Sequence, residues 1–125
     1  MNSKIFMMVR ILLGLFVLIF GLNKFLNFIP AGGEMSEPAI TYFGALSSTS
    51  TIQLVAIVEI LAGLAFIFNK YGALLALILM SVSVNAVLFH ATLDAANIGP
   101  ALAMLILNIV VLIGYKDRYK DILRA

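Results

Sequence analysis

Four long apolar runs constrain this chain more than any other feature of its sequence. We place them at residues 5–28, 52–68, 71–93 and 99–115. Each has roughly 17–25 residues, enough for a helix to cross the ~30 Å hydrocarbon core of a bilayer. Only 11% of the residues are charged and 63% are hydrophobic, whereas a soluble domain has about 25% charged residues to cover its surface. The sequence therefore predicts an all-α integral membrane protein, a single four-helix transmembrane bundle over residues 1–125.

The connections between the runs predict how the helices follow one another. Residues 69–72 and 94–97 form short turns, so the helices on either side of each turn should be antiparallel neighbours. The long connection, residues 29–51, contains Ser36 as an N-cap and Pro38 in a first helical turn. Because its apolar residues recur on one side, we expect a short interfacial helix in this outer loop.

The basic residues predict the orientation. With both termini cytoplasmic, only Lys24 among the eight lysines and arginines lies outside, which follows the positive-inside rule. The remaining seven are Lys4, Arg10, Lys70, Lys116, Arg118, Lys120 and Arg124. The first run also resembles the apolar core of a signal peptide, but no A-x-A site follows it, so we expect it to remain as a helix.

Polar residues inside the runs form two layers when depth is counted from the outer helix ends at ~1.5 Å per residue. Three lie about 11–14 Å deep, near the bilayer midplane: Glu59, Asn85 and Asn108. Three lie about 4–8 Å deep: Asn23, Lys24 and His90. A carboxylate at mid-depth must be neutral or paired. Lys24 is nearer to Glu59 than Arg10 is, so we expect Lys24 to be its partner, and we favour a functional role for Glu59.

Helical spacing places these polar groups on faces that also carry small residues, as helix contacts in lipid require. On the first helix the face comprises Arg10, Gly14, Val17, Gly21 and Lys24. On the second it comprises Glu59, Gly63, Phe66 and Lys70. The third and fourth faces comprise Ser81, Asn85 and Phe89 with His90 beside them, and Ala101, Met104, Asn108 and Tyr115.

Each polar residue except Glu59 also has a purely structural interpretation. Asn85 and Asn108 could hydrogen-bond across helices and so only hold the packing together. His90 could cap the outer end of its helix, and Asp94 is typical of a turn. Arg10 is expected to snorkel to the inner headgroups.

Four stretches together resemble the DoxX family of small four-helix bacterial membrane proteins. They are RILLGLFVLIFGLNKFLNFIP, AGGEMSEPAITYFGALSSTS, LVAIVEILAGLAFIFNKYGALLALIL and VNAVLFHATLD. The resemblance covers roughly residues 10–115 and rests on order and spacing more than on one motif. It implies a protein of the bacterial inner membrane, associated with redox complexes such as a thiosulfate:quinone oxidoreductase. The family's polar positions fall on Arg10, Lys24, Glu59, Asn85 and His90.

Three functions remain open at this point. In the first, the chain is a redox-associated subunit that binds a quinone in the outer half of the bundle. Glu59 and His90 would be the catalytic proton donors, and the quinone carbonyls would be bound by Lys24, Asn23, Asn85 and Asn108. In the second, the same pocket holds a lipophilic ligand or serves membrane-protein assembly without catalysis. The third is a small proton-linked transporter, although interrupted helices and inverted repeats are missing.

The composition narrows the partners and cofactors. The chain has no cysteine and one histidine, so it carries no cofactor of its own, and a redox role would require a partner protein with the electron-transfer centre. Bis-histidine haem would require a dimer, and we expect no metal site. Nothing favours nucleic acid as a partner. The lipid bilayer is the expected environment, and the apolar outer faces fit both a monomer and a homo-oligomer.

Overall fold

Five helices and two short 3₁₀ turns form the regular structure of the computed structural model, which describes residues 1–29 and 35–125. The helices are α1 (Ser3–Leu26), α2 (Glu37–Ser48), α3 (Thr51–Phe68), α4 (Gly72–Leu93) and α5 (Gly99–Gly114). The 3₁₀ turns are Ala95–Asn97 and Lys116–Tyr119. Over these described ranges the regular structure is all helical, which confirms the all-α prediction.

Three of the helices, α1, α3 and α4, are long and apolar enough to cross a membrane. The apolar helix α5 is shorter, with 16 residues. Large apolar side chains project outward from all four of these helices and remain exposed, for example Leu12, Leu61, Leu88 and Ile106. A soluble protein would not leave so much apolar surface in water, whereas lipid solvates it without cost.

The four apolar helices close a ring. α1 packs against α3 and α5, and α4 packs against the same two helices, as the two short turns predict for α3–α4 and α4–α5. Buried side chains fill the centre of the ring, among them Leu13, Val17, Phe66, Leu79 and Val111. α2 lies against α3 and α4.

Glycines let α1 and α3 approach each other closely. A Cβ on Gly63 would lie 2.8 Å from both the carbonyl oxygen of Gly14 and the Cβ of Leu18. A Cβ on Gly21 would lie 3.0 Å from the carbonyl oxygen of Ala56. Because neither position has room for a side chain, the two backbones meet directly, as small-residue contacts in membrane helices do.

Arg10 holds the inner end of α3. Its guanidinium donates hydrogen bonds to the carbonyl oxygens of Phe66 and, at 3.5 Å, Ile67. These carbonyls belong to the last turn of α3, where a cation also complements the helix dipole. Arg10 is only 7% exposed, so the expectation that it snorkels to the headgroups is wrong. The carbonyl oxygens at the end of α3 bind the guanidinium within the bundle instead.

Two tyrosines after α5 tie the same end of the bundle together. The Tyr115 hydroxyl donates to Asn69 Oδ1 at 2.6 Å, and the Tyr119 hydroxyl donates to the Ala73 carbonyl oxygen at 2.7 Å. Burial, and to a lesser degree the neighbouring Tyr115, raise the pKa of Tyr119 to about 12. The Tyr119 hydroxyl therefore stays protonated and keeps its hydrogen bond over the physiological pH range.

The short helix predicted in the long connection is present as α2. The Ser36 hydroxyl caps it by accepting a hydrogen bond from the Ala39 backbone N–H at 3.3 Å, and Pro38 lies in the first turn. Ser36 also donates to the Leu93 carbonyl oxygen at 2.6 Å. This second bond fixes the start of α2 to the end of α4.

Candidate functional site: a covered cavity with two acid–base pairs

A cavity of about 590 Å³ lies between the helices, at the end of the bundle opposite the Arg10 contact. Every helix contributes to its wall, and α2 covers it with Tyr42, Phe43 and Leu46. The 3₁₀ turn after α5 and the turn between α3 and α4 lie at the other end. The cavity is therefore bounded by the end of α1, the start of α3, the end of α4 and the start of α5.

Most of the wall is apolar, and several aromatic rings contribute to it. Phe16 and Phe20 of α1 form a tilted pair with ring centroids 4.7 Å apart. Across the cavity, Phe89 of α4 stacks on Tyr42 of α2 at 5.6 Å and contacts Phe43 at 6.4 Å. Such walls suit the apolar body of a ligand and offer faces to a planar ring.

Glu59 and Lys24 form the polar floor of the cavity. Lys24 Nζ lies 2.6 Å from Glu59 Oε1, and the side chains are 23% and 2% exposed, respectively. Gly21 allows this contact, because a Cβ there would lie 3.0 Å from the Cβ of Glu59. The structure thus joins Glu59 to the partner that the depth estimate predicts. The pair offsets the cost of placing a carboxylate in an apolar run.

His90 and Asp94 form a second pair on the cavity wall. His90 Nδ1 lies 3.1 Å from Asp94 Oδ2, and Asn97 Nδ2 donates to Asp94 Oδ1 at 3.0 Å. Asp94 is only 8% exposed although it ends α4. The sequence predicts only a turn residue at Asp94, so this pairing was not predicted. Its i,i+4 spacing from His90 is the signal that could have found it.

Asn85 also lines the cavity, but one of its amide hydrogens is bound within its own helix. Asn85 Nδ2 donates to the Ser81 carbonyl oxygen at 2.7 Å. The amide oxygen and the second N–H add further hydrogen-bonding capacity beside the ion pairs.

The structure places Asn108 away from the cavity, which corrects its predicted contact with a ligand. Asn108 is fully buried between α4 and α5, where its Oδ1 accepts a hydrogen bond from Ser83 Oγ at 2.8 Å. Its Nδ2 donates to the Ala76 carbonyl oxygen at 3.1 Å. Asn108 therefore holds helices together, which is the structural interpretation considered for it.

Asn23 is likewise engaged elsewhere. Its Oδ1 accepts a hydrogen bond from the Ile29 backbone N–H at 2.7 Å, and its carbonyl oxygen accepts one from the Asn27 N–H at 2.8 Å. These bonds end α1 and fix the direction of the following chain. Asn23 is not part of the cavity wall, so the predicted ligand contact is replaced by a capping role.

Within residues 1–29 and 35–125, no group of three or more histidine, cysteine, aspartate or glutamate side chains is placed to hold a metal ion. The polar groups that face the cavity are instead the Lys24–Glu59 ion pair, the His90–Asp94 pair and the Asn85 amide. They can donate and accept hydrogen bonds at the end of an apolar chamber.

Residues 5–92 match the family model described as DoxX. This chain belongs to the DoxX family. The DoxX match includes Lys24, Glu59 and His90, and it ends two residues before Asp94. No curated protein and no solved structure matches the chain significantly. Membership in DoxX, together with three helices long enough to cross a bilayer, identifies a membrane protein in contact with lipid.

Proposed function

We propose that this DoxX protein spans the bacterial inner membrane four times and binds a quinone, or a similar small lipophilic molecule, in the covered cavity. In this proposal it is a redox-associated subunit with both termini in the cytoplasm. The observation that carries the proposal is the Lys24–Glu59 pair at the floor of an otherwise apolar chamber.

Two contacts at one end of the bundle support the proposed topology. Phe6 of α1 packs edge-on against Tyr115 at 4.9 Å, and Tyr115 bonds to Asn69 in the α3–α4 turn. The start of α1, this turn and the end of α5 therefore share the end where the basic residues gather, as expected of a cytoplasmic side. α5, with 16 residues, extends ~24 Å and can cross a slightly thinned or protein-lined bilayer.

The size and chemistry of the cavity support a lipophilic ligand. Its volume of about 590 Å³ lies in the range of small-molecule pockets, roughly 300–1,000 Å³. The Lys24 ammonium has three N–H donors, and the pair with Glu59 uses one of them. The other donors are suited to a carbonyl oxygen such as that of a quinone.

The redox role would need a partner. Reduction of a quinone to a quinol consumes two electrons and two protons, and the chain has no cysteine to hold a cluster. We propose that a partner protein supplies the electrons, while His90 and Glu59 supply protons to the two quinone oxygens.

A second function is favoured by the Lys24–Glu59 distance of 2.6 Å. An ionised carboxylate in an ion pair has no proton to donate, so the cavity could hold its ligand without catalysis or support the assembly of a partner complex. Glu59→Gln separates the two functions in native membranes. If Glu59 donates a proton, wild-type membranes should show quinone reduction that depends on this protein, and the variant should lose it. If the cavity only binds, both should lack such reduction while both still bind the ligand.

Native mass spectrometry of gently extracted protein, followed by titration of a short-chain quinone in lipid nanodiscs, tests the proposal. We expect a lipophilic molecule to travel with the protein and the quinone to bind once per chain. Ala86→Phe, which fills the cavity wall, should abolish binding, whereas Ala91→Phe at an exposed position of the same helix should not. A wild-type protein that carries no ligand and binds no quinone would refute the proposal.

A further inference from the structure

We propose that the cavity selects uncharged lipophiles and excludes anionic ones such as fatty-acid carboxylates. This inference rests on the proposed function, since it specifies the class of lipophilic molecule that the cavity takes. It follows from the pairing of charges on the wall and not from the size of the chamber.

Each basic side chain on the described part of the wall already faces a carboxylate. Lys24 Nζ lies 2.6 Å from Glu59, and His90 Nδ1 lies 3.1 Å from Asp94. The four charges sum to zero when His90 is protonated and to one negative charge when it is neutral. In neither state does the wall carry the positive charge that an anion would need.

An incoming carboxylate would have to share Lys24 with Glu59. Glu59 is 2% exposed, so little water screens it from a second negative charge. The carboxylate would also lose its own hydration on entering the apolar chamber. Both effects oppose the binding of an anion, whereas an uncharged molecule meets no charge repulsion and loses much less hydration energy.

An uncharged head group with a carbonyl or hydroxyl oxygen fits the same wall. It can accept a hydrogen bond from the donors of Lys24 that remain beyond the Glu59 contact. The Asn85 amide oxygen can accept from a hydroxyl, since its Nδ2 is the atom bound to Ser81. The apolar body of the molecule then lies among Phe16, Phe20 and Phe89.

A single substitution at the cavity floor should reverse this selectivity. Glu59→Gln removes one negative charge and nearly preserves the shape of the side chain, so Lys24 is left without a matching carboxylate. The altered floor then provides the cation that an anionic head group requires.

A matched pair of fluorescent probes, pyrenebutanol and pyrenebutyrate, tests this inference with the full chain in nanodiscs. The two molecules share an apolar body and differ in the charge of the head group. Binding is measured by fluorescence against empty nanodiscs, which corrects for partition into lipid. We expect the wild-type protein to prefer the alcohol by roughly tenfold or more. In Glu59→Gln the preference should shrink or reverse, whereas Glu37→Gln, outside the cavity wall, should leave it unchanged.

The outcomes separate the two proposals. Equal binding of both probes to the wild-type protein, or a preference for the carboxylate, overturns the charge selectivity while the binding function stands. Binding of neither probe, nor of the short-chain quinone, overturns the binding function itself. The comparison of the two probes on the wild-type protein tests the charge selectivity even if Glu59→Gln does not fold. Asp94→Asn removes a different negative charge from the wall, and it too should weaken the preference for the alcohol.

Discussion

Lys24 and Glu59 depend on each other because both lie in apolar surroundings. The Glu59 carboxylate is 2% exposed and the Lys24 side chain 23%. An unpaired charge therefore costs more free energy at Glu59 than at Lys24. Removal of one charge of a buried pair costs more than replacement of both, since it leaves the other charge desolvated and unmatched.

Lys24→Met should therefore lower the free energy of unfolding by about 3–5 kcal/mol. The measurement is the loss of helical circular dichroism on heating the protein in detergent. Lys70→Met, an exposed lysine in the α3–α4 turn, is the matched control and should change stability by no more than about 0.5 kcal/mol. The double variant Lys24→Met, Glu59→Gln should recover most of the loss. Equal stability of Lys24→Met and Lys70→Met would show that the ion pair contributes little.

Asn85 and Asn108 show which features of the site can be predicted from the sequence and which cannot. Asn85 and Asn108 share one depth and one residue type, yet Asn85 faces the cavity and Asn108 is buried beside Ser83. The sequence predicts that both are placed inside the bundle. It cannot separate their roles, because the partner of Asn108 lies 25 residues away on another helix.

At the scale of elements, the contact of α1 with α3 depends on glycine. Gly63→Ala places a methyl group 2.8 Å from the Gly14 carbonyl oxygen, so the backbones must separate. We expect a loss of about 1–3 kcal/mol in the free energy of unfolding, measured by the same thermal melt. Gly44→Ala in α2 is the control, because nothing lies within 4 Å of its Cβ position. The Gly44→Ala variant should have unchanged or slightly increased stability. If Gly63→Ala were as stable as Gly44→Ala, the close contact between α1 and α3 would be contradicted.

The buried faces of the helices were predictable to different degrees. The face of α1 follows from Arg10, Gly14, Val17 and Gly21, all of which are buried, because glycine and charge mark a contact within a lipid-facing run. Before His90, α4 is apolar on every side apart from its two serines and one asparagine. Its buried face contains Ser83 and not Ser81, a choice that periodicity alone cannot make.

At the scale of the whole molecule, the proposed orientation can be tested directly because the chain has no cysteine. Ser48→Cys at the exposed end of α2 should react with a membrane-impermeant maleimide on intact spheroplasts. Leu123→Cys, at a side chain that is 79% exposed near the C-terminus, should react only after lysis. The reverse pattern of labelling would invert the proposed topology.

The whole fold was more predictable than the site. Run lengths, short turns and a capped helix in the long connection are local properties, so sequence reasoning places these elements well. The pair of His90 and Asp94 depends instead on the 3₁₀ turn that brings Asn97 back to Asp94. Such a turn is not distinguishable in sequence from an ordinary loop.

The two cations of α1 affect how the protein inserts into the membrane during its synthesis. Arg10 bonds to the last turn of α3, and Lys24 pairs with Glu59 in the middle of α3. A ribosome delivers α1 to the membrane well before it has made either partner. Until Phe66 has been synthesised, α1 must keep both charges near water or in the shelter of the insertion machinery. α1 is synthesised before α3, but its two charges are satisfied only once α3 has been made. The insertion of α1 is therefore completed by a later helix.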